Sequence, residues 1–221
     1  MRNSAYVECS GQCANSRKRN SSYLLIVLIA LAVLPLLGAD VPPQELLGRW
    51  RSTQTSKGGI GWMLLFRADG TFVLSPGAVV EMPYRIESGE IVFPPSTTDG
   101  PEERLKRQFT GKDQLRLLGN PEERLTRKGT APNPKVTILG EWEGKRDMGG
   151  HQVEVHYIFY PNRKCLLLIP FVKKTLKYTI EGRNIRMELP NQAPCFGMFQ
   201  IKDGILAIPG SDGKGNDFSR Y

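Results

Sequence analysis

The chain has 221 residues, with 30 Lys or Arg against 22 Asp or Glu. At 40% apolar and 24% charged it is neither a mostly disordered chain nor a polytopic membrane protein, and four cysteines are too few for a disulfide-dense scaffold. Twenty-three Gly and 16 Pro exceed the usual combined share of about 12% and call for many turns.

Tyr23 to Leu37 runs 15 residues without a charge, behind Arg17, Lys18 and Arg19 and ahead of the small residues Gly38 and Ala39. A basic stretch, a short apolar stretch and a small-residue exit make an export signal. The run is short for a spanning helix, which takes about 20 apolar residues. Residues 1–39 are therefore expected to be a signal peptide or a helical signal anchor. In both cases the basic cluster stays cytoplasmic and the rest lies outside, secreted, periplasmic or membrane-anchored, with membrane contact through 23–37 if that segment is uncleaved. Without residues 1–39 the chain keeps 26 basic and 21 acidic groups, a net +5 in place of +8. The two signs are interspersed, and the densest basic stretch, Lys173-Lys174 with Lys177, is too small for a nucleic-acid stripe, so no nucleic acid is expected as partner.

An internal repeat organises the exported region. Leu47-Gly48-Arg49-Trp50 recurs as Leu139-Gly140-Glu141-Trp142, and Tyr84-x-Ile86-x4-Ile91 as Tyr178-x-Ile180-x4-Ile185. Phe66-x2-Asp69 recurs as Phe159-x2-Asn162, Phe109-x3-Asp113 as Phe199-x3-Asp203, and Leu125-Thr126-Arg127 as Phe218-Ser219-Arg220. Five landmarks in one order at offsets of 90 to 94 residues define two copies, 46–127 and 138–221. The linker, 128–137, holds two prolines and a glycine and should be extended.

Each copy reads as β. Trp62, Leu64 and Phe66 alternate with Met63 and Leu65, and Val153, Val155, Tyr157 and Phe159 alternate with Glu154, His156 and Ile158. Turn signals at Gly58-Gly59, Asp69-Gly70, Pro76-Gly77, Ser88-Gly89, Pro94 to Pro101, Gly111-Lys112-Asp113 and Gly119-Asn120 divide the first copy into about eight strands. These fall near 47–53, 60–67, 71–75, 81–87, 90–93, 103–110, 114–118 and 123–127. The second copy carries Asn162-Arg163 in place of Asp69-Gly70, so a longer turn is expected there. An antiparallel meander of eight strands buries its edges by closing on itself. The expected fold is all-β: two tandem eight-stranded antiparallel small barrels behind the N-terminal apolar helix. One barrel built from two half-barrels suits the length but not seven turns per copy.

The paired Gly-x-Trp and late Arg resemble the calycin group, lipocalins in particular, where a basic residue near the barrel end packs over the first-strand Trp. The chain is also similar to short exported bacterial domains of unknown function carrying G-x-W, F-x-x-D-G-x-F and Y-x-I. The resemblance implies closure by Gly48, Trp50 and Arg127 in the first copy and by Gly140, Trp142 and Arg220 in the second. It covers about 165 residues, but each copy is about half a lipocalin barrel in length. Strands of about six residues span about 20 Å. The rings of Trp50, Trp62, Phe66, Phe72, Tyr84, Phe93 and Phe109 would plug so short a barrel, leaving a mouth or the groove between copies for binding.

Reactive constellations are sparse. His151 and His156 stand five apart, on opposite faces of one strand, and cannot share a metal from it. No Gly-x-Ser-x-Gly elbow occurs, and the first copy has no histidine for a triad. Glu102-Glu103 and Glu122-Glu123, both within Pro-Glu-Glu-Arg-Leu, read as solvated turn acids. Gly58-Gly59-Ile60-Gly61 opens a strand, which argues against phosphate cradling. Asp212 to Asp217 reads as a hairpin turn before a Ca²⁺ loop. Cys165 and Cys195 could pair, as export favours; Cys165 aligned with Phe72 could equally be a buried thiol. No catalytic, cofactor or metal residues are assigned. The expectation is a non-enzymatic exported binding module taking a small apolar molecule or an envelope component. The alternative is a structural or protein-interaction domain pair tethered at the membrane without a small ligand.

Overall fold

The computed structural model describes residues 42–95, 100–119, 121–129, 137–189, 191, 193–209 and 215–221. The N-terminal segment expected to direct export and most of the linker lie outside them. Among the described residues the chain is all-β and has no helix, so none is long and apolar enough to cross a membrane. The first copy forms β1 (Gly48–Ser52), β2 (Ile60–Phe66), β3 (Thr71–Pro83), β4 (Arg85–Glu87), β5 (Glu90–Phe93), β6 (Glu103–Phe109), β7 (Gln114–Leu118) and β8 (Glu123–Lys128). The second forms β9 (Gly140–Met148), β10 (His151–Phe159), β11 (Lys164–Pro170), β12 (Lys174–Glu181), β13 (Asn184–Met187), β14 (Cys195–Met198), β15 (Gln200–Lys202), β16 (Ile205–Pro209) and β17 (Gly215–Arg220).

Most elements follow the turn chemistry. Gly59, Gly70, Gly89 and Gly111 take positive φ between strands, where a residue without Cβ fits at least cost. The Asn162-Arg163 turn is no longer than its counterpart. Asp69 Oδ1 accepts the Thr71 N–H at 2.9 Å, Asn162 Oδ1 accepts that of Lys164 at 3.2 Å, and Arg163 takes the φ of +61° that Gly70 takes at +77°.

The departure is at Pro76-Gly77, which makes no turn. β3 runs 13 residues straight through it. Its first part, Thr71 to Leu74, pairs with β12, and its second, Gly77 to Pro83, pairs with β11. Both partners belong to the other copy. A Cβ at Gly77 would collide with the carbonyl oxygen of Ile169, so the glycine serves a close backbone crossing and not a bend.

Two self-contained barrels, one per copy, are therefore not what forms. All 17 strands join one antiparallel sheet in which the copies exchange strands. One circuit runs β1–β2–β3–β12–β13–β14 and returns through β15–β16–β17 to β1. It encloses Trp50, Leu64, Phe66, Phe72, Tyr178, Ile185, Leu206 and Phe218. The other runs from β4 through β11 to the end of β3 and encloses Tyr84, Ile91, Leu115, Leu125, Trp142, Tyr157, Phe159 and Cys165. Among the described residues no ladder joins β14 to β15 or β3 to β4, so the sheet is not fully closed. A third apolar cluster, Met63, Val79, Ile158, Leu166 and Leu168, lies along the exchange.

The Phe and Tyr landmarks make equivalent contacts in the other copy. The Phe66 and Tyr178 rings meet edge-on at 5.1 Å, as do those of Phe159 and Tyr84. Tyr178 N–H donates to the Gly70 carbonyl and Tyr84 N–H to that of Arg163, both at 2.8 Å. Replacing Gly77 by Ala should cost about 1–3 kcal/mol in chemical denaturation, since only backbone shifts relieve the clash. The matching change at Gly215, which has nothing within 4 Å of a new Cβ, should be near neutral.

Candidate functional site

The residues expected to close each copy do meet, with partners exchanged. Trp50 stands opposite Arg220 and Trp142 opposite Arg127 in adjacent strands, not Trp50 with Arg127. The guanidinium of Arg220 lies 4.5 Å from the centre of the Trp50 ring, and that of Arg127 4.0 Å from Trp142. Each indole N–H donates four residues back, Trp50 to Leu46 O at 2.8 Å and Trp142 to Ile138 O at 2.7 Å. Arg220 donates to the carbonyls of Leu47 and Glu45; Arg127 donates to Leu139, Thr137 and Lys112. The positive φ of Gly48 (+114°) and Gly140 (+107°) starts each strand beside this contact. Arginine over an indole gains about 0.5–2 kcal/mol. Arg127 is buried and Arg220 exposed. Arg127→Ala, which strands three carbonyls, should therefore lower stability by about 2–4 kcal/mol and Arg220→Ala by about 1 kcal/mol, read by urea denaturation.

The two cores differ at one end. On the inward face of β2, Phe66 and Leu64 are buried, and the next inward position, Trp62, is 45% exposed with Ile60 at 42% beyond it. Trp62 stands opposite Pro76 on β3, its backbone N–H donating to the buried Ser52 Oγ at 3.0 Å. Leu74 and Leu176 are half-buried against the same core. The loop Thr53 to Gly59 beside Trp62 is exposed nearly throughout. The first core thus ends in an apolar rim.

In the second core the place equivalent to Trp62 is held by Val155, which is wholly buried. That end is sealed by a polar cluster. Glu123 is buried, accepts from Arg146 Nε at 2.8 Å and from the Tyr157 hydroxyl at 3.3 Å, and Arg146 also donates to that hydroxyl. Burial, then the Glu123 charge, pushes the Tyr157 phenol far above its ordinary value. Glu123 is therefore not the solvated turn acid expected. It shares the inward parity of Leu125 and Arg127 on β8, a signal present in the sequence. Its neighbour Glu122 is an exposed partner of Arg116, and Glu102 of Arg85.

His156 is half-buried among carboxylates. Its Nε2 lies 2.5 Å from Glu154, and its Nδ1 faces Glu141 at 3.5 Å and Glu143 at 3.9 Å. Glu143, Glu154 and His156 could offer three ligand atoms within 4.8 Å of one another. Each carboxylate already has a cation: Lys128 on Glu143 at 2.9 Å, Lys173 on Glu154 at 2.5 Å, and Arg49 on Glu141. The group reads as a balanced ion network. His151, at the exposed start of β10, takes no part.

Burial would lower the His156 pKa, but Glu141, Glu154 and Glu143 outweigh it and raise it above 6.5. Burial likewise opposes the charge on Glu141, yet His156 and Arg49 hold its carboxyl down at about 2. A raised histidine stabilises the fold fully below the unfolded value of 6.5 and loses that contribution as pH rises through the folded value. Hence His156→Gln should lower the melting temperature more at about pH 5.5 than at about pH 8.5.

Cys165 lies in the second core and Cys195 in the first, so no disulfide joins them. Burial drives the Cys165 thiol well above its ordinary range, which leaves it unreactive. Residues 212–214 of the stretch from Asp212 to Asp217 lie outside the described residues, and Gly215 to Asp217 belong to β17. Comparisons with protein-family models, curated proteins and solved structures gave no match.

Proposed function

We propose that the chain is an exported, non-enzymatic binding module, a pair of lipocalin-like strand circuits that takes up a small apolar molecule at the rim of the first core. The observation that carries this is Trp62. An indole on the inward face of a strand, in line with buried Leu64 and Phe66, is left 45% exposed where the equivalent place in the second core is filled and sealed. Exposed aromatic rings beside a hydrophobic core mark sites that bury a partner's apolar surface. The ends of the cores, rather than their packed interiors, are then the binding surface. The run Tyr23 to Leu37 supports export, as a cleaved signal or a retained anchor.

A protein-interaction role, without a small ligand, is the second reading. It is favoured by Phe196 and Met198 on β14, which are 61% and 58% exposed.

Nile red, a neutral apolar dye, separates the two. It should bind the intact protein and quench or blue-shift the Trp62 emission, while Trp50 and Trp142, wholly buried, stay unchanged. Trp62→Ala should weaken binding about ten-fold or more, as expected for loss of an aromatic anchor, with the melting temperature held. Equal binding by wild type and Trp62→Ala, or none by wild type, would count against the first reading. Loss of a partner contact in Phe196→Ser with Trp62 untouched would favour the second.

A further inference from the structure

The exchange brings equivalent positions of the two copies face to face, and at those positions the sequences carry opposite charge. The first copy reads Gly48-Arg49-Trp50-Arg51 on β1; the second reads Gly140-Glu141-Trp142-Glu143 on β9. The tryptophans turn inward, so the charged residues line the outer side of each strand. Arg49 and Glu141 meet in a two-pronged ion pair, with the second prong 2.5 Å long. The Arg49 guanidinium also covers the Tyr221 ring at 5.0 Å. Nearby, Lys164 of the second copy donates to Glu81 of the first at 2.8 Å, and Arg51 holds the other oxygen of that carboxylate at 2.5 Å. Pro170 stands opposite Gly77, and the Phe171 N–H donates to Pro76 O at 3.0 Å, where the two copies cross.

We propose that this seam is a recognition surface by which the first repeat selects the second and rejects a copy of itself. Two first repeats exchanging in the same way would set Arg49 against Arg49; two second repeats would set Glu141 against Glu141, each without the Arg49 that holds it. Like charges in partly buried contact disfavour those pairings, and the paired Arg and Glu favour the observed one. A second chain fits the same surface only by presenting its opposite repeat. The linker then sets the local concentration of the two repeats but not their choice of partner.

The test uses the whole chain with a protease site placed between Lys128 and Thr137 and cut once. The two fragments should remain one 1:1 species in native mass spectrometry and refold from denaturant only as that mixed pair. In the cut protein, Arg49→Glu or Glu141→Arg alone should raise the dissociation constant about ten-fold or more, and the double exchange should return it to within about three-fold of wild type. Should either reversal prevent folding, Arg49→Gln and Glu141→Gln replace them, and the double loss should be smaller than the summed single losses. Fragments that part on cutting, refold as like pairs, or respond to each change independently of the other would overturn the proposal.

Discussion

The structure depends on one backbone crossing. Because β3 continues through Pro76 and Gly77, its edge away from β2 is laid along two strands of the second copy, first β12 and then β11. Everything N-terminal to the crossing, β1 and β2 included, is thereby committed to a core completed by β12 to β17. By the same geometry β9 to β11 complete the core begun by β4 to β8. The crossing is tight enough that a side chain at Gly77 would meet the Ile169 carbonyl. Neither copy can close by itself without breaking that contact, and each core is built from residues of both copies.

Exchange makes the symmetry of the repeat a symmetry of contacts. Where equivalent places must do the same work, the residues match: Phe with Tyr, Trp with Arg, indole N–H with a carbonyl four residues earlier. Where equivalents touch one another they differ, Arg49 against Glu141. Where each core meets solvent they have diverged, one end left apolar with Trp62, the other shut by Glu123, Arg146 and Tyr157. Those differences are the places to look for function, because the shared landmarks are spent on holding the sheet together.

Much of this was legible in the sequence. Period-two alternation and Gly-centred turns located most strands of the first copy to within a residue or two, because local conformation decides them. The Trp and Arg landmarks identified the closing residues. Their partners were not legible, since local rules would let Trp50 meet either Arg220 or Arg127 and only the path of β3 chooses. Pro76-Gly77 looked like a turn because Pro and Gly favour bends; here Gly is required by a neighbouring backbone that sequence alone does not display. Glu123 was readable from its parity with Leu125 and Arg127, but a carboxylate beside Glu122 and Arg124 in a charged segment masked it. His156 drew its surroundings from β9, and ladder register across a hairpin was needed to see the three carboxylates. A Cys165–Cys195 bond was compatible with spacing and excluded by the exchange, which sends the two thiols to different cores.

Ring-to-ring proton contacts measured by NMR on the intact protein test the exchange most directly. Phe66 should show cross-relaxation with Tyr178, and Phe159 with Tyr84, each pair lying 5.1 Å apart between ring centres. Contacts joining Phe66 to Tyr84 and Phe159 to Tyr178 instead would mean that each repeat folds upon itself.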